Sequence, residues 1–165
     1  MRPGLALAVA VVILDQLSKA WLISWLAGQD GWLAVTGFFN LVMVWNRGIS
    51  FGMLQSGETG RWILVFFSTL VCLGLGIWMR RQTHRLPALA LGAVIGGAVG
   101  NIIDRVWRGA VADFFDFHLM GYHWPAFNVA DSAITLGVAV LLYDSFRPGA
   151  AEDGSGPKGN RVKDD

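Results

Sequence analysis

The sequence predicts an all-α membrane protein: four transmembrane helices with a small outer-face β-sheet or hairpin region. Three observations carry that expectation. Of 165 residues, 54% are apolar and only 15% charged, against about 25% charged in an ordinary soluble domain. The apolar residues gather into four long stretches, and the basic residues gather on one side of them. A formal charge of +1 and balanced acids exclude a basic nucleic-acid-binding domain, an acidic tail protein and a disordered chain.

The four stretches are Gly4–Ala27, Trp62–Met79, Leu86–Ile103 and Ala126–Phe146. Each approaches the ~20 helical residues that cross a hydrocarbon core. Inside lipid the backbone must satisfy its own hydrogen bonds, so such stretches are read as helices. A soluble bundle would show polar residues every third or fourth position, yet Trp62–Met79 offers only Ser68 and Thr69. The first stretch begins like a cleavable signal peptide, with Arg2 and the small residues Ala6, Ala8 and Ala10. Its apolar character resumes after Lys19 and runs to Trp25, which is too long for a signal core, so it reads as the first span.

Residues 1–146 thus read as a single membrane domain. Orientation follows from Lys and Arg. Arg2, Arg80, Arg81, Arg85, Arg147, Lys158, Arg161 and Lys163 lie on the side shared by both termini and the central connector. Arg47, Arg61, Arg105 and Arg108 lie in the other two connectors. Eight against four places both termini in the cytoplasm. Trp21, Trp25, Trp62, Trp78, Trp107 and Trp124 stand near span ends, where indoles prefer the interface.

The outer loop, residues 28–61, is rich in Val, Phe and Trp before Asn46-Arg47-Gly48, which reads as a hairpin or short sheet lying on the membrane. The last segment, 147–165, holds Pro148, Gly149, Gly154, Gly156, Pro157 and Gly159 and reads as a disordered cytoplasmic tail.

Polar residues at bilayer depth are costly and therefore point to function. Asp15 and Lys19 are four apart on one helix face, where they can pair, with Gln16 beside them. Gly92, Gly96 and Gly100 recur every four residues in the third span and invite close helix approach. That span then turns polar at Asn101, Asp104 and Arg105. Asp113 and Asp116 follow, and the fourth span opens with Asn128, Ala130 and Asp131. Four aspartates therefore gather at the outer face. Two carboxyls brought together there cannot both ionise freely and share one proton, the arrangement of aspartic proteases. The spacing does not choose which two. A small proton or cation transporter, or a channel subunit, is the alternative use of buried acids; it expects carboxyls staggered through the membrane and internal repeats.

Three other patterns are weaker. Gly48-Ile49-Ser50-Phe51-Gly52 matches a nucleophile elbow but has no βαβ context. His118 and His123 lack metal-ligand spacing. Cys72 sits among apolar residues as packing.

Five segments, in order, resemble the lipoprotein signal peptidases, or signal peptidase II, the intramembrane aspartyl peptidases of bacteria. They are Asp15-Gln16-Leu17-Ser18-Lys19, Asn46 through Gly52, Gly96 through Arg105, Val111-Ala112-Asp113-Phe114, and Phe127-Asn128-Val129-Ala130-Asp131-Ser132. Ile49 is bulkier than the small residue of the family pattern, which bears on the shape of the loop. The resemblance implies that Asp113 and Asp131 are the catalytic dyad and that Asn128 is their hydrogen-bonding partner. Asn101, Asp104, Arg105, Asp15 and Lys19 would brace the site, with Ala130 beside the dyad. Asn46 and Gly48 would come from the loop that covers the substrate. It further implies removal of the signal peptide from a prolipoprotein whose cysteine carries diacylglycerol, by cleavage on that cysteine's N-terminal side. No metal or organic cofactor is implied. The expected partners are that substrate and membrane lipids, with no nucleic acid. The enzyme is expected to be a monomer in the bacterial inner membrane, with its site near the outer face.

Overall fold

In a computed structural model, which describes residues 1–48 and 57–146, the chain forms four helices and one small sheet. Helix α1 runs Arg2–Ala27, α2 Gly57–Arg80, α3 Arg85–Trp107 and α4 Val129–Ser145. The strands are β1 (Trp32–Thr36), β2 (Phe39–Asn46), β3 (Val111–Leu119) and β4 (Tyr122–His123). They pair antiparallel in the order β1-β2-β3-β4. Ile49 through Gly52 of the nucleophile-elbow match and the tail from Arg147 lie outside the described residues.

Helix α3 is the centre of the bundle because its small residues let its neighbours come close. A Cβ at Gly96 would sit 2.6 Å from the Ala8 carbonyl oxygen, and one at Gly100 would sit 2.5 Å from Asp15 Oδ2; both belong to α1. On another face, a Cβ at Gly97 would meet Ile134 Cγ1 at 2.8 Å, and a Cβ at Gly137 of α4 would meet Val94 Cγ2 at 2.6 Å. The glycine spacing read from the sequence thus does what it predicts: it removes side chains where helices touch. Helix α2 presents nearly all its surface outward, with Phe66, Phe67 and Leu73 more than 60% exposed. A helix apolar on every side is suited to lipid.

The expectation of four spans is met in part among the described residues. Three helices, α1, α2 and α3, are long and apolar enough to cross a membrane. Helix α4 has 17 residues, only ~26 Å at ~1.5 Å per residue against a core of ~30 Å. The physical reason lies at its start. Phe127 is drawn into an antiparallel bridge with Phe115, and Asn128 becomes the N-cap, so the helix begins three residues later than Ala126. Conversely, α2 starts before Trp62 and α3 continues past Ile103 to Trp107.

The hairpin expected within 28–61 is present as β1 and β2. The larger departure is β3, a nine-residue strand where the sequence reads as a short acidic loop. It pairs with β2, setting Val44 opposite Asp113 and Asn40 opposite Asp116. Leu22, Leu26 and Phe114 are buried together, with Leu41, Met43, Phe115 and Val129 around them, and fix the sheet to the end of α1.

These contacts separate two kinds of glycine. Gly96→Leu forces a side chain into the α1 backbone and is expected to cost at least ~1–3 kcal/mol. Gly76→Leu, with nothing within 4 Å of its Cβ position, should change stability by no more than ~0.5 kcal/mol. Thermal unfolding of the two variants in detergent checks the difference.

Candidate active site

Beneath the site lies a buried ion cluster. Lys19 is fully buried, and its Nζ lies 2.8 Å from Asp15 Oδ2 and 2.8 Å from Asp104 Oδ2. It also donates to Asn101 Oδ1 at 3.1 Å. Arg108 pairs with the other oxygen of Asp104. Gln16 Nε2 donates to Asp15 Oδ2, Asp104 Oδ1 and the Gly100 carbonyl at 3.1–3.2 Å. The remaining Asp15 oxygen accepts the Ala130 amide at 3.0 Å. Two carboxylates and two cations thus balance, as burial of charge requires. The i, i+4 pair expected of Asp15 and Lys19 is formed.

From this cluster hydrogen bonds lead to two further acids. Asn101, held by Lys19 through its oxygen, donates its Nδ2 to Asp131 Oδ1 at 2.8 Å. Asn128 caps α4: its Oδ1 accepts the Asp131 amide at 2.9 Å, while Asp131 Oδ2 accepts the Asn128 amide at 3.2 Å. That reciprocal pair is a capping box. Its Nδ2 reaches the other way and donates to Asp113 Oδ1 at 2.6 Å. Asn46, from the end of β2, donates to Asp113 Oδ2 at 3.0 Å. Its own oxygen accepts the Gly48 amide at 3.1 Å. Arg105 Nη2 donates to the Gly48 carbonyl at 3.1 Å, so α3 holds the backbone just after β2.

Asp113 and Asp131 line one cavity of about 830 Å³, together with Asn46, Gly48, Asn101 and Arg105. Its walls include Leu64 and Ser68 of α2 and Trp124, Ile134 and Thr135, so apolar surface meets a small polar floor. Burial pushes the Asp113 carboxyl up to about 7, and the nearby charge of Asp131 adds to the rise, while the Asn46 and Asn128 hydrogen bonds oppose it. An acid that keeps its proton near neutrality, beside a second carboxyl on the same cavity, can donate to a carbonyl while its neighbour accepts a proton from water.

Of the residues singled out in the sequence, Asp113, Asp131, Asn46, Gly48, Asn101 and Arg105 line this cavity, and Asn128 bridges its two acids. Asp15, Lys19 and Asp104 form the cluster below. Ala130 is fully buried on α4 and lies against Gly97. Asp104 and Asp116 are not beside the acid pair. Asp116 falls on the opposite face of β3 from Asp113, as their odd separation in a strand requires. There it accepts Asn40 Nδ2 at 2.8 Å and contacts His123 Nδ1 at 2.9 Å. Burial acts against its ionisation, but Asn40 and His123 outweigh that and hold the carboxyl below its ordinary value. His118 stacks on His123, giving both histidines a place in this surface cluster. Sequence reasoning gave no part to Arg108, whose spacing of four from Asp104 was a readable signal. Asn40 had none, since only strand register brings it to Asp116.

Comparison with known proteins follows the same lines. A family model described as Signal peptidase (SPase) II matches residues 7–147. The chain is 45% identical over 162 residues to a protein named Lipoprotein signal peptidase from Methylorubrum extorquens, covering 96% of this chain and 94% of that one. It is 47% identical over 143 residues to the protein of that name from Caulobacter vibrioides, covering 86% and 84%. A solved structure described as a bacterial membrane enzyme, determined by the in meso method, superposes with a TM-score of 0.72 at 29% identity, covering 88% of this chain and 91% of that one.

The raised Asp113 value has a stability consequence of definite sign. Between the ordinary carboxyl value of 3.8 and about 7, the folded state binds the proton more tightly than the unfolded state. Asp113 therefore lowers stability progressively as pH rises through that window. Asp113→Asn, which cannot ionise, should melt higher relative to the unsubstituted protein at pH 8 than at pH 5. Paired thermal unfolding curves at the two pH values test it, and a constant difference would contradict the raised value.

Proposed function

We propose, for a chain that belongs to the signal peptidase II family, that Asp113 and Asp131 are its catalytic dyad. The protein is a bacterial membrane protease of the aspartic type. It removes signal peptides from diacylglyceryl-modified prolipoproteins, cleaving on the N-terminal side of the lipidated cysteine. The observation that carries the dyad assignment is the Asn128 side chain, which contacts Asp113 and caps the helix bearing Asp131 at one cavity.

In this reading Asp113 carries the shared proton below about pH 7, and Asp131 serves as the general base. Asp131 takes a proton from a water molecule as the water oxygen attacks the scissile carbonyl carbon. Asp113 gives its proton to the carbonyl oxygen, producing a tetrahedral diol. On collapse the proton held by Asp131 passes to the amide nitrogen, the C–N bond breaks, and Asp113 recovers a proton from the diol. The signal peptide leaves with a new carboxyl terminus and the lipidated cysteine with a free amine. Asn101 and Asn128 hold the two carboxyls in register, Asn46 and Gly48 start the covering loop, and Arg105 ties that loop to α3. Asp15, Lys19 and Asp104 anchor the floor, and Ala130 keeps α4 close to α3.

Residues 1–146 act as a single membrane domain, with α4 as a fourth, short crossing completed by the polar residues that precede it. Both termini face the cytoplasm and the acid pair faces the outer side of the inner membrane, a placement supported by the eight-to-four distribution of basic residues. The substrate's acyl chains lie in the bilayer between helices, and the enzyme works as a monomer among membrane lipids.

Asp113→Asn and Asp131→Asn should each reduce processing of a lipidated precursor by at least about a hundredfold, while the protein still inserts. Purified protein in detergent with a chelator and that precursor supplies the assay, read by release of the signal peptide. Near-normal cleavage by either variant would remove that residue from the dyad. The rate should fall as pH rises past about 7, where Asp113 loses its proton; a rate still climbing at pH 8 would oppose its role as donor.

A further inference from the structure

A second cavity, of about 510 Å³, opens at the same end of the bundle and shares no lining residue with the aspartate cavity. Its size falls within the ~300–1,000 Å³ of small-molecule sites. Arg47, Arg61 and Arg108 line it, with Glu58 and Trp45. These are three of the four arginines that the sequence sets apart from the basic cluster around Arg80; the fourth, Arg105, serves the aspartate cavity.

The charge around this cavity is incompletely used. Arg108 is committed to Asp104. Arg61 lies 3.4 Å from Glu58, whose side chain is 86% exposed, so that pair is loose and screened by water. Arg61 Nε is buried with no acceptor among the described residues. Arg47 is exposed and has no carboxylate partner among them, and the connector 49–56 contains no acid. Setting Arg47 and Arg61 against Glu58 leaves a surplus of one positive charge. Gly109, with φ +80°, keeps the floor clear: a Cβ there would lie 3.1 Å from Arg61 Nη1.

The surroundings fix the height of the cavity. Trp45 on its wall, Trp62 against the Arg61 guanidinium at 4.8 Å, and Trp107 beside Arg108 are 44%, 48% and 82% exposed. Exposed indoles at the ends of spans settle at headgroup level. Guanidinium forks at that level match the paired oxygens of a phosphate. We propose that the pocket lined by Arg47, Arg61 and Arg108 binds a singly charged phosphate ester, the group carried by anionic phospholipid headgroups. It is separate from peptide cleavage and stands whether or not the dyad assignment does.

The test uses the full chain in detergent, with bound lipid counted by native mass spectrometry. Phosphatidylglycerol, phosphatidylcholine and inorganic phosphate are titrated in separate arms. One phosphatidylglycerol should be retained in preference to phosphatidylcholine, and Arg47→Gln should weaken it about tenfold, the loss of one charge-assisted contact. Arg47→Gln/Arg61→Gln should abolish the preference. Arg47 is exposed, so the single variant is expected to fold, and its melting temperature checks that. Inorganic phosphate that binds and displaces the lipid, with the same arginine dependence, would keep the phosphate site and name the free ion as occupant. Equal retention of the two lipids, or an Arg47→Gln protein that retains phosphatidylglycerol unchanged, would overturn the proposal.

Discussion

A single ammonium group, Lys19 Nζ, fixes the interior of this molecule. It is fully buried on α1 and has three partners: Asp15 on its own helix, and Asn101 and Asp104 on α3. A cation in that position is tolerable only while those partners surround it, so any sliding of α1 along α3 is penalised by an unpaired buried charge. The glycines make the arrangement possible. Gly100 leaves room for the Asp15 carboxylate against α3, and Gly96 lets the backbones approach to where the Lys19 side chain can reach. Charge sets the register, and the absence of side chains permits the distance.

That register is passed on through amides. Asn101 has Lys19 on its oxygen and Asp131 on its nitrogen. Asp15 takes the Ala130 amide at the start of α4. The first turn of α4 is therefore positioned from below by α1 and α3 and from the side by its own cap. Asp113 comes from a different kind of element. It stands on β3, whose neighbour β2 also supplies Asn46. One acid rides on a helix start and the other on a paired strand, both stiff supports, and the cavity between them inherits that stiffness.

Much of this was legible in the sequence because its signals are local. The i, i+4 spacing of Asp15 and Lys19, the four-residue glycine repeat and the apolar run of α2 each follow from helix geometry alone. Strand β3 was not legible. In Val111–Leu119 acids and aromatics occupy both parities, so alternation is lost: Asp113 and Asp116 face opposite sides, and Phe114 and Phe115 do likewise. A strand packed on both faces has no polar side to betray its period. The start of α4 is hidden from the sequence for a related reason. Phe127 looks like the beginning of an apolar helix, but it belongs to the sheet through Phe115. Sequence proximity groups Asp116 with the other acids, whereas Asn40, 76 positions earlier, is what it meets.

The identity of residue 128 shows how far the site constrains the chain beyond what folding asks. As an N-cap, Ser, Asp or Asn serve α4 almost equally, since each offers an oxygen to the Asp131 amide. Asn brings a donor on a second atom as well, and here Nδ2 meets Asp113 while Oδ1 holds the helix. Asp in its place would face another carboxylate across 2.6 Å, and Ser would be too short to reach. The same reasoning holds at Asn101, which must accept from a cation and donate to an anion with one planar group. At both positions the helix tolerates several residues and the acid pair tolerates one. The choice of amides there follows from a double demand, an oxygen for a donor on one side and a donor for a carboxylate on the other, which one planar group meets.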